Sequence, residues 1–206
     1  MDFSNNDKRI AHWRLRLTRS LSDLPDYSLP EGYRYVHYAT GDRDTWIGIE
    51  QSAKEFDTYE QGAAAWARYF GDHEDELPER MIFIEDASGD KVATATAFYD
   101  TFGEDDSGSA WLHWVSVISD QQGHGLSKPL VCEAFRIMRN LGYTRVIIPT
   151  QTNTWLAVKI YLDLGCGPTP KNAEDSKTGW RIVRTLTNHP ALASFEPVGL
   201  DVILAE

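Results

Sequence analysis

Residues 110–149 constrain the fold most strongly. "AWLHWVSVIS" (110–119) places aromatic and β-branched residues on both alternating sets, the pattern of a central strand covered on both faces. "DQQGHGLSKPL" (120–130) follows at once and can bend at Gly123 and Gly125. From Leu126 onward, Leu130, Val131, Ala134, Ile137, Met138 and Leu141 recur at helical spacing, and Gly142 stops the run. "TRVIIP" (144–149) then reads as a short buried strand. Strand, helix and strand make a crossover, and crossovers join parallel strands.

The flanking chain adds antiparallel elements. Residues 1–32 read as an arm in which "HWRLRLT" (12–18) alternates like an edge strand, followed by irregular "SDLPDYSLPEG". "YRYVHYA" (33–39) is a strand. A helix follows with Asp44 as N-cap and Trp46, Ile49, Ala53 and Phe56 at helical spacing. "TYEQGAAAWARYF" (58–70) is a second helix. "MIFIED" (81–86) and "KVATATAFYD" (91–100) form a hairpin around "ASGD", and "TFGEDDSGS" is a polar loop. "TWLAVKIYLDLG" (154–165) is a helix ending in glycine, residues 166–178 a loop, and "GWRIVRTL" (179–186) a final strand. The order β-α-α-β-β-β-α-β-α-β predicts an α/β fold with a mixed sheet in one domain.

Composition narrows the function classes. The chain has 206 residues, enough for one domain with an added arm. Its formal net charge of −11 argues against nonspecific nucleic-acid binding, which needs Lys and Arg to neutralise phosphates. The acidic surface suits a cationic partner, or simply keeps the protein in solution. The two cysteines, Cys132 and Cys166, form no CxxC pair and no zinc-finger spacing. A polar N-terminus and the absence of a run of ~20 apolar residues lead us to expect a cytoplasmic protein without a membrane span.

The glycine turn has two readings. It is a tight connection, or it is an anion cradle. The first N–H groups of a helix lack internal partners and carry partial positive charge, and glycine leaves no Cβ in a ligand's way. Pro129 fits near the first turn, where a missing N–H costs little. No third glycine completes a dinucleotide GxGxxG, because position 128 is Lys, and GxxxxGK[ST] is absent.

The segment resembles that of the GNAT superfamily of acyl-CoA-dependent N-acetyltransferases. Gln122–Gly123–His124–Gly125–Leu126–Ser127 matches their [QR]-x-x-G-x-[GA] loop except that Ser127 replaces Gly or Ala. A register opening at Asp120 would set an acidic residue against pyrophosphate. "TQTNTWLAVKIYLDLG" resembles the family's N-x-x-A-x-x-x-Y-x-x-x-G, with Ala157, Tyr161 and Gly165 matching and Thr154 in place of Asn. The resemblance covers roughly residues 33–187, which it marks as the acetyltransferase domain; 188–206 remain as a tail packed on or extending it.

The resemblance implies a mixed sheet splayed between strands 110–119 and 144–149 and flanked by helices. Pro149, which cannot donate to a ladder, fits such a splay. It implies acetyl-CoA as cosubstrate, no metal, and a small-molecule or peptide amine as acceptor, in a monomer or homodimer. Gln122, Gly123, His124, Gly125, Leu126 and Ser127 would hold the pyrophosphate, Val115 and Val117 the pantetheine and oxyanion, and Thr154 would join the cofactor-binding set. Lys128 can add a point charge or is an ordinary exposed lysine. Tyr161 would protonate the departing thiolate, or packs in the core through its helical spacing. His113 would serve as base, or is a buried histidine satisfied by a hydrogen bond; Glu85 is a weaker alternative. Trp111, Trp114 and Trp155 could line an acceptor pocket, though the core claims at least two. A noncatalytic acyl-CoA-binding module on the same fold is the rival reading.

Overall fold

The computed structural model describes residues 7–99 and 108–205; most of the expected loop at 101–109 lies outside the described residues. The chain divides into a central unit, residues 21–146, and a terminal unit formed by residues 1–20 and 147–206.

In the central unit, β2 (Arg34–His37), β3 (Met81–Glu85), β4 (Lys91–Phe98) and β5 (Ser109–Val117) pair antiparallel in that order. β3 and β4 are the expected hairpin. Helix α1 (Arg43–Ser52) packs on β4 and β5, and α2 (Tyr59–Tyr69) packs on α1. The N-cap of α1 is Asp42 rather than the expected Asp44. Asp42 closes the preceding turn by accepting from the Ala39 N–H at 2.8 Å. Asp44, one turn position later, accepts from the Tyr59 hydroxyl. Thr58 and Gln61 form a reciprocal capping box at the start of α2, satisfying donors that the helix cannot. Trp46, fully buried, meets Trp66, Phe70 and Trp114 edge-on at 5.3–5.4 Å and forms the aromatic centre of this unit. The short α3 (Leu77–Arg80) had no counterpart in the sequence reading. Helix α4 (Ser127–Asn140) follows the glycine turn and packs against β3, β4 and β5.

The terminal unit holds most of β6 (Arg145–Gln151), with β1 (Arg14–Ser20) and β7 (Gly167–Pro168) beyond it. β1 lies between β6 and β7, so the arm's strand is an inner strand and not an edge. β6 runs through Pro149 to Gln151. Helix α5 (Trp155–Asp163) follows, then α6 (Pro170–Asp175), α7 (Lys177–Thr187) and α8 (Leu200–Ile203). Residues 166–178 are therefore not a plain loop. Asn153 ties the arm down by donating to the carbonyls of Asp7 and Ile10. Ile10, Ile182 and Ile203 form a small core against which Trp155 packs, so the amino- and carboxy-terminal segments share one cluster.

The expected final strand at 179–186 is helix α7. Ser176, Gly179, Trp180 and Val183 are buried at i, i+3, i+4 and i+7, the spacing of one helical face. The β-branched "RIV" within it favours a strand only on local propensity, and tertiary packing overrides that. A Cβ at Gly179 would lie 2.6 Å from Trp13 Cβ and 3.0 Å from Leu15 Cδ2. Gly179→Ala gains about 1 kcal/mol of helix propensity but overpacks this contact at a cost of about 1–3 kcal/mol. A net loss of stability is expected, read as a lower urea midpoint with an unchanged slope.

Candidate active site

The expected cofactor strand carries a break in its ladder. Thr96 pairs with His113 and Thr94 with Ser116, so Trp114 and Val115 together oppose the single residue Ala95. This is a β-bulge, and Trp114 there adopts φ +53°, a left-handed conformation costly for a bulky residue. Neighbouring aromatics hold it in place. The Trp114 ring stacks on His113 at 5.0 Å and meets Phe56 and Tyr69 at 5.4 and 5.3 Å. His113, Trp114 and Val115 are the only residues of β5 that are half-buried; the rest of the strand is buried. These three are therefore the residues of β5 within reach of a ligand.

Beyond Val117 the chain turns through Ser119–Gln121 and the two glycines. Gly123 and Gly125 both have φ +81°, where a Cβ would be strained. Both are exposed. Gln122 Nε2 donates to the Val117 carbonyl at 3.0 Å, so this side chain folds back onto the end of β5 and stays off the loop's outer surface. The Tyr33 hydroxyl donates to Gln121 Oε1 at 2.5 Å, and His124 Nδ1 lies 3.0 Å from the same oxygen. These contacts pin the loop from β5, from its own start and from the segment before β2. Leu126 is buried and precedes α4 without any side-chain cap, leaving the first N–H groups of α4 available to an anion. Lys128, in the first turn, places Nζ 5.5 Å from the centre of the Tyr27 ring. The residues fit a pyrophosphate: uncapped donors, two glycines and a loop held from behind.

His113 differs from the expected base. Its Nδ1 accepts from the Trp114 backbone N–H at 3.2 Å, so the proton of the neutral ring sits on Nε2. Phe98 and Tyr69 each meet the ring edge-on at 5.1 Å. Burial pushes the imidazole down to about 4. At neutral pH it is an uncharged N–H donor with its other nitrogen in use. Glu85, the weaker alternative, is held by Arg34, whose Nε donates to it at 2.9 Å.

The sequence reading missed Glu50. It is fully buried on α1, and its Oε2 accepts from the Ser116 hydroxyl at 2.6 Å, one residue past the bulge. Burial outweighs the Ser116 bond, which lowers this carboxyl, and with a smaller push from Glu55 it is raised to about 8. A signal was present: Glu50 lies four residues after Trp46 and one after Ile49, on the apolar face that the spacing predicted for α1. A charged residue on an apolar helix face is a site candidate.

In the terminal unit, Tyr161 sits in the last turns of α5, 6% exposed, and its carbonyl accepts from the Cys166 N–H at 3.0 Å. Thr154 is the α5 N-cap; its hydroxyl lies 2.9 Å from that of Thr150 and 3.0 Å from the Gln151 carbonyl. Trp111 is buried in β5. Cys132 and Cys166 are both buried and unpaired with each other. Among the described residues, no group of three or more His, Cys, Asp or Glu side chains could hold a metal ion, and no helix is long and apolar enough to cross a membrane.

A family model described as the acetyltransferase (GNAT) family matches residues 44–165, from α1 through the end of α5. The chain belongs to the GNAT acetyltransferase family. It is 28% identical over 163 residues to a mycothiol acetyltransferase of Pseudarthrobacter chlorophenolicus, a match covering 74% of this chain and 48% of that protein. A mycothiol acetyltransferase of an Arthrobacter species is 27% identical over 168 residues, with the same coverage. The chain thus spans about half the length of the curated relatives it matches. A GCN5-related N-acetyltransferase from Sphaerobacter thermophilus superposes with a TM-score of 0.61 at 19% identity, covering 80% of this chain and 50% of that one. A GNAT-family acetyltransferase from Colwellia psychrerythraea gives 0.59 at 13%, covering 79% and 55%. At these identities the two structures establish the GNAT α/β fold, as the strand–turn–helix segment predicts.

Proposed function

We propose that this GNAT protein transfers an acetyl group from acetyl-CoA to a primary amine, by direct attack in a ternary complex. The observation that carries this reading is the β5 bulge leading into a glycine turn and an uncapped helix. The backbone N–H groups from Gly123 to Ser127 hold the pyrophosphate, with His124 and Lys128 at its edge. Pantetheine pairs along β5 beside Val115 and Val117. The Val115 N–H, at the bulge, donates to the thioester oxygen as it becomes an oxyanion. Tyr161 protonates the thiolate, since a phenol near or above the thiol's pKa is a competent donor. Thr154 holds the start of α5, the helix that carries Tyr161. Both cysteines are buried, which supports direct transfer over an acetyl-enzyme. The acceptor is a small-molecule or peptide amine.

Isothermal titration with acetyl-CoA, paired with release of free thiol across a panel of primary amines, tests this. Gly123→Val is expected to weaken acetyl-CoA binding by about tenfold or more, because a β-branched residue resists a left-handed φ. Nothing in the protein lies within 4 Å of the added Cβ, so the loss would not arise from a clash with the protein. Binding without thiol release under any condition would favour the noncatalytic acyl-CoA-binding module. Undiminished binding by Gly123→Val would remove the loop from the site.

A further inference from the structure

Glu50 lies among polar groups that have no partners. Its Oε1 makes no hydrogen bond, nor do the hydroxyls of Thr94 and Thr96, all of them buried. Leaving such groups unsatisfied costs about 1–3 kcal/mol each. Their placement is ordered. Thr94 is the cross-strand partner of Ser116, and Thr96 of His113. Paired residues point to the same side of a sheet, as do residues two apart on one strand. Ser116, Thr94, Thr96 and His113 therefore share one face of β4 and β5, and Glu50 reaches that face through Ser116. The opposite side of β4 carries Ala93, Ala95 and Ala97. The threonine hydroxyls bond to neither Ser116 nor each other; a water between neighbours would join them into a proton path, because hydroxyls and water each accept and donate at once.

We propose that Glu50 takes up the proton lost by the acceptor amine, passed to it through Ser116 and through waters that bridge the threonine hydroxyls beside the β5 bulge. This rests on the acetyltransferase reading above. The ammonium gives one proton to the hydroxyl row, and Ser116 gives its own to the Glu50 carboxylate. The freed lone pair attacks the thioester carbon, forming the C–N bond. Collapse breaks the C–S bond; Tyr161 gives its proton to the thiolate and is reprotonated from the amide nitrogen. One proton per turnover returns from Glu50 along the same row and leaves to solvent at the half-buried bulge. Glu50 acts through Ser116 and is a positioning residue for the proton; His113 stays neutral at the other end of the row.

Few charges surround Glu50. Glu55, after α1, acts on it across space. On β4, Lys91 is bound to Asp42. On α2, Glu60 and Arg68 are exposed. On β5, His113 is uncharged at neutral pH.

The test is the pH profile of kcat for CoA thiol release from acetyl-CoA, with small primary amines of differing basicity and with water alone. Calorimetric binding of acetyl-CoA is measured in parallel. Wild type is expected to rise about tenfold per pH unit to a plateau near pH 8, at the same pH for every acceptor. Glu50→Gln flattens the rise and lowers the plateau about 100-fold with acetyl-CoA affinity unchanged. Ser116→Ala does the same, and Ser116→Thr, which keeps a hydroxyl, restores the rise. Should Glu50→Gln fail to fold, the Ser116 pair decides alone. A rise that persists in Glu50→Gln or Ser116→Ala, or that moves with the amine's basicity, overturns the proposal. Acetyl-CoA binding without turnover in wild type sinks the acetyltransferase reading instead, and the proposal with it.

Discussion

Tyr161→Phe is expected to lower kcat for acetyl transfer by about 100- to 1,000-fold and to leave the KM for acetyl-CoA nearly unchanged. The substitution removes one hydroxyl and keeps the ring. Tyr161 is 6% exposed on α5, so the ring's packing survives and the fold should too. On the proposed role, the substitution removes the proton for the departing thiolate, an interaction that develops in the transition state, which is why kcat carries the effect. Steady-state kinetics with a good acceptor, beside a thermal melt, measure it. The deficit should shrink for thioesters with more acidic thiols, whose thiolates leave without help. Unchanged turnover in a folded variant would return Tyr161 to a packing role.

The second large effect is on stability and concerns Glu50. The folded protein holds this carboxyl up to about 8, whereas the unfolded chain ionises it near the ordinary value of 4.5. Between those two values the folded state binds one proton more than the unfolded state, so the stability of the protein falls as pH rises. The contribution is complete below about pH 4.5, is lost progressively up to about pH 8, and is flat beyond. The size of the loss is roughly 5 kcal/mol. Glu50→Gln cannot ionise. Its unfolding free energy is expected to lack that decline, so the variant gains on wild type steadily from pH 5 to pH 8. Urea unfolding at several pH values reads the difference in slope, which is independent of any constant cost of burying the amide. Parallel curves for the two proteins would show that Glu50 ionises normally.

The segments whose local signals agree were legible. Residues 110–149 combine a two-sided apolar strand, glycines where a left-handed φ is needed, and a helix with one apolar face, and the structure forms β5, the turn and α4 there. The hairpin and the first two helices follow for the same reason. Residues 179–186 misled because "RIV" favours a strand locally, while the packing of Gly179 against Trp13 and Leu15 requires a helix. The N-cap shifted from Asp44 to Asp42 because both are aspartates at the start of one helix, and only the turn at Ala39 distinguishes them.

The site divides along the same line. The proposed pyrophosphate loop is a continuous stretch whose chemistry is local: glycine conformations and a helix start are properties of neighbouring residues, so sequence alone determined the turn and the helix start on which that proposal rests. The proposed proton acceptor depends on distant residues. Whether His113 can accept a proton depends on the Trp114 N–H at its Nδ1 and on the aromatic rings around it. Whether Glu50 holds one depends on Ser116, 66 residues away in sequence, and on complete removal from water. Burial and long-range hydrogen bonds set those ionisation states, and only the folded chain brings such groups together.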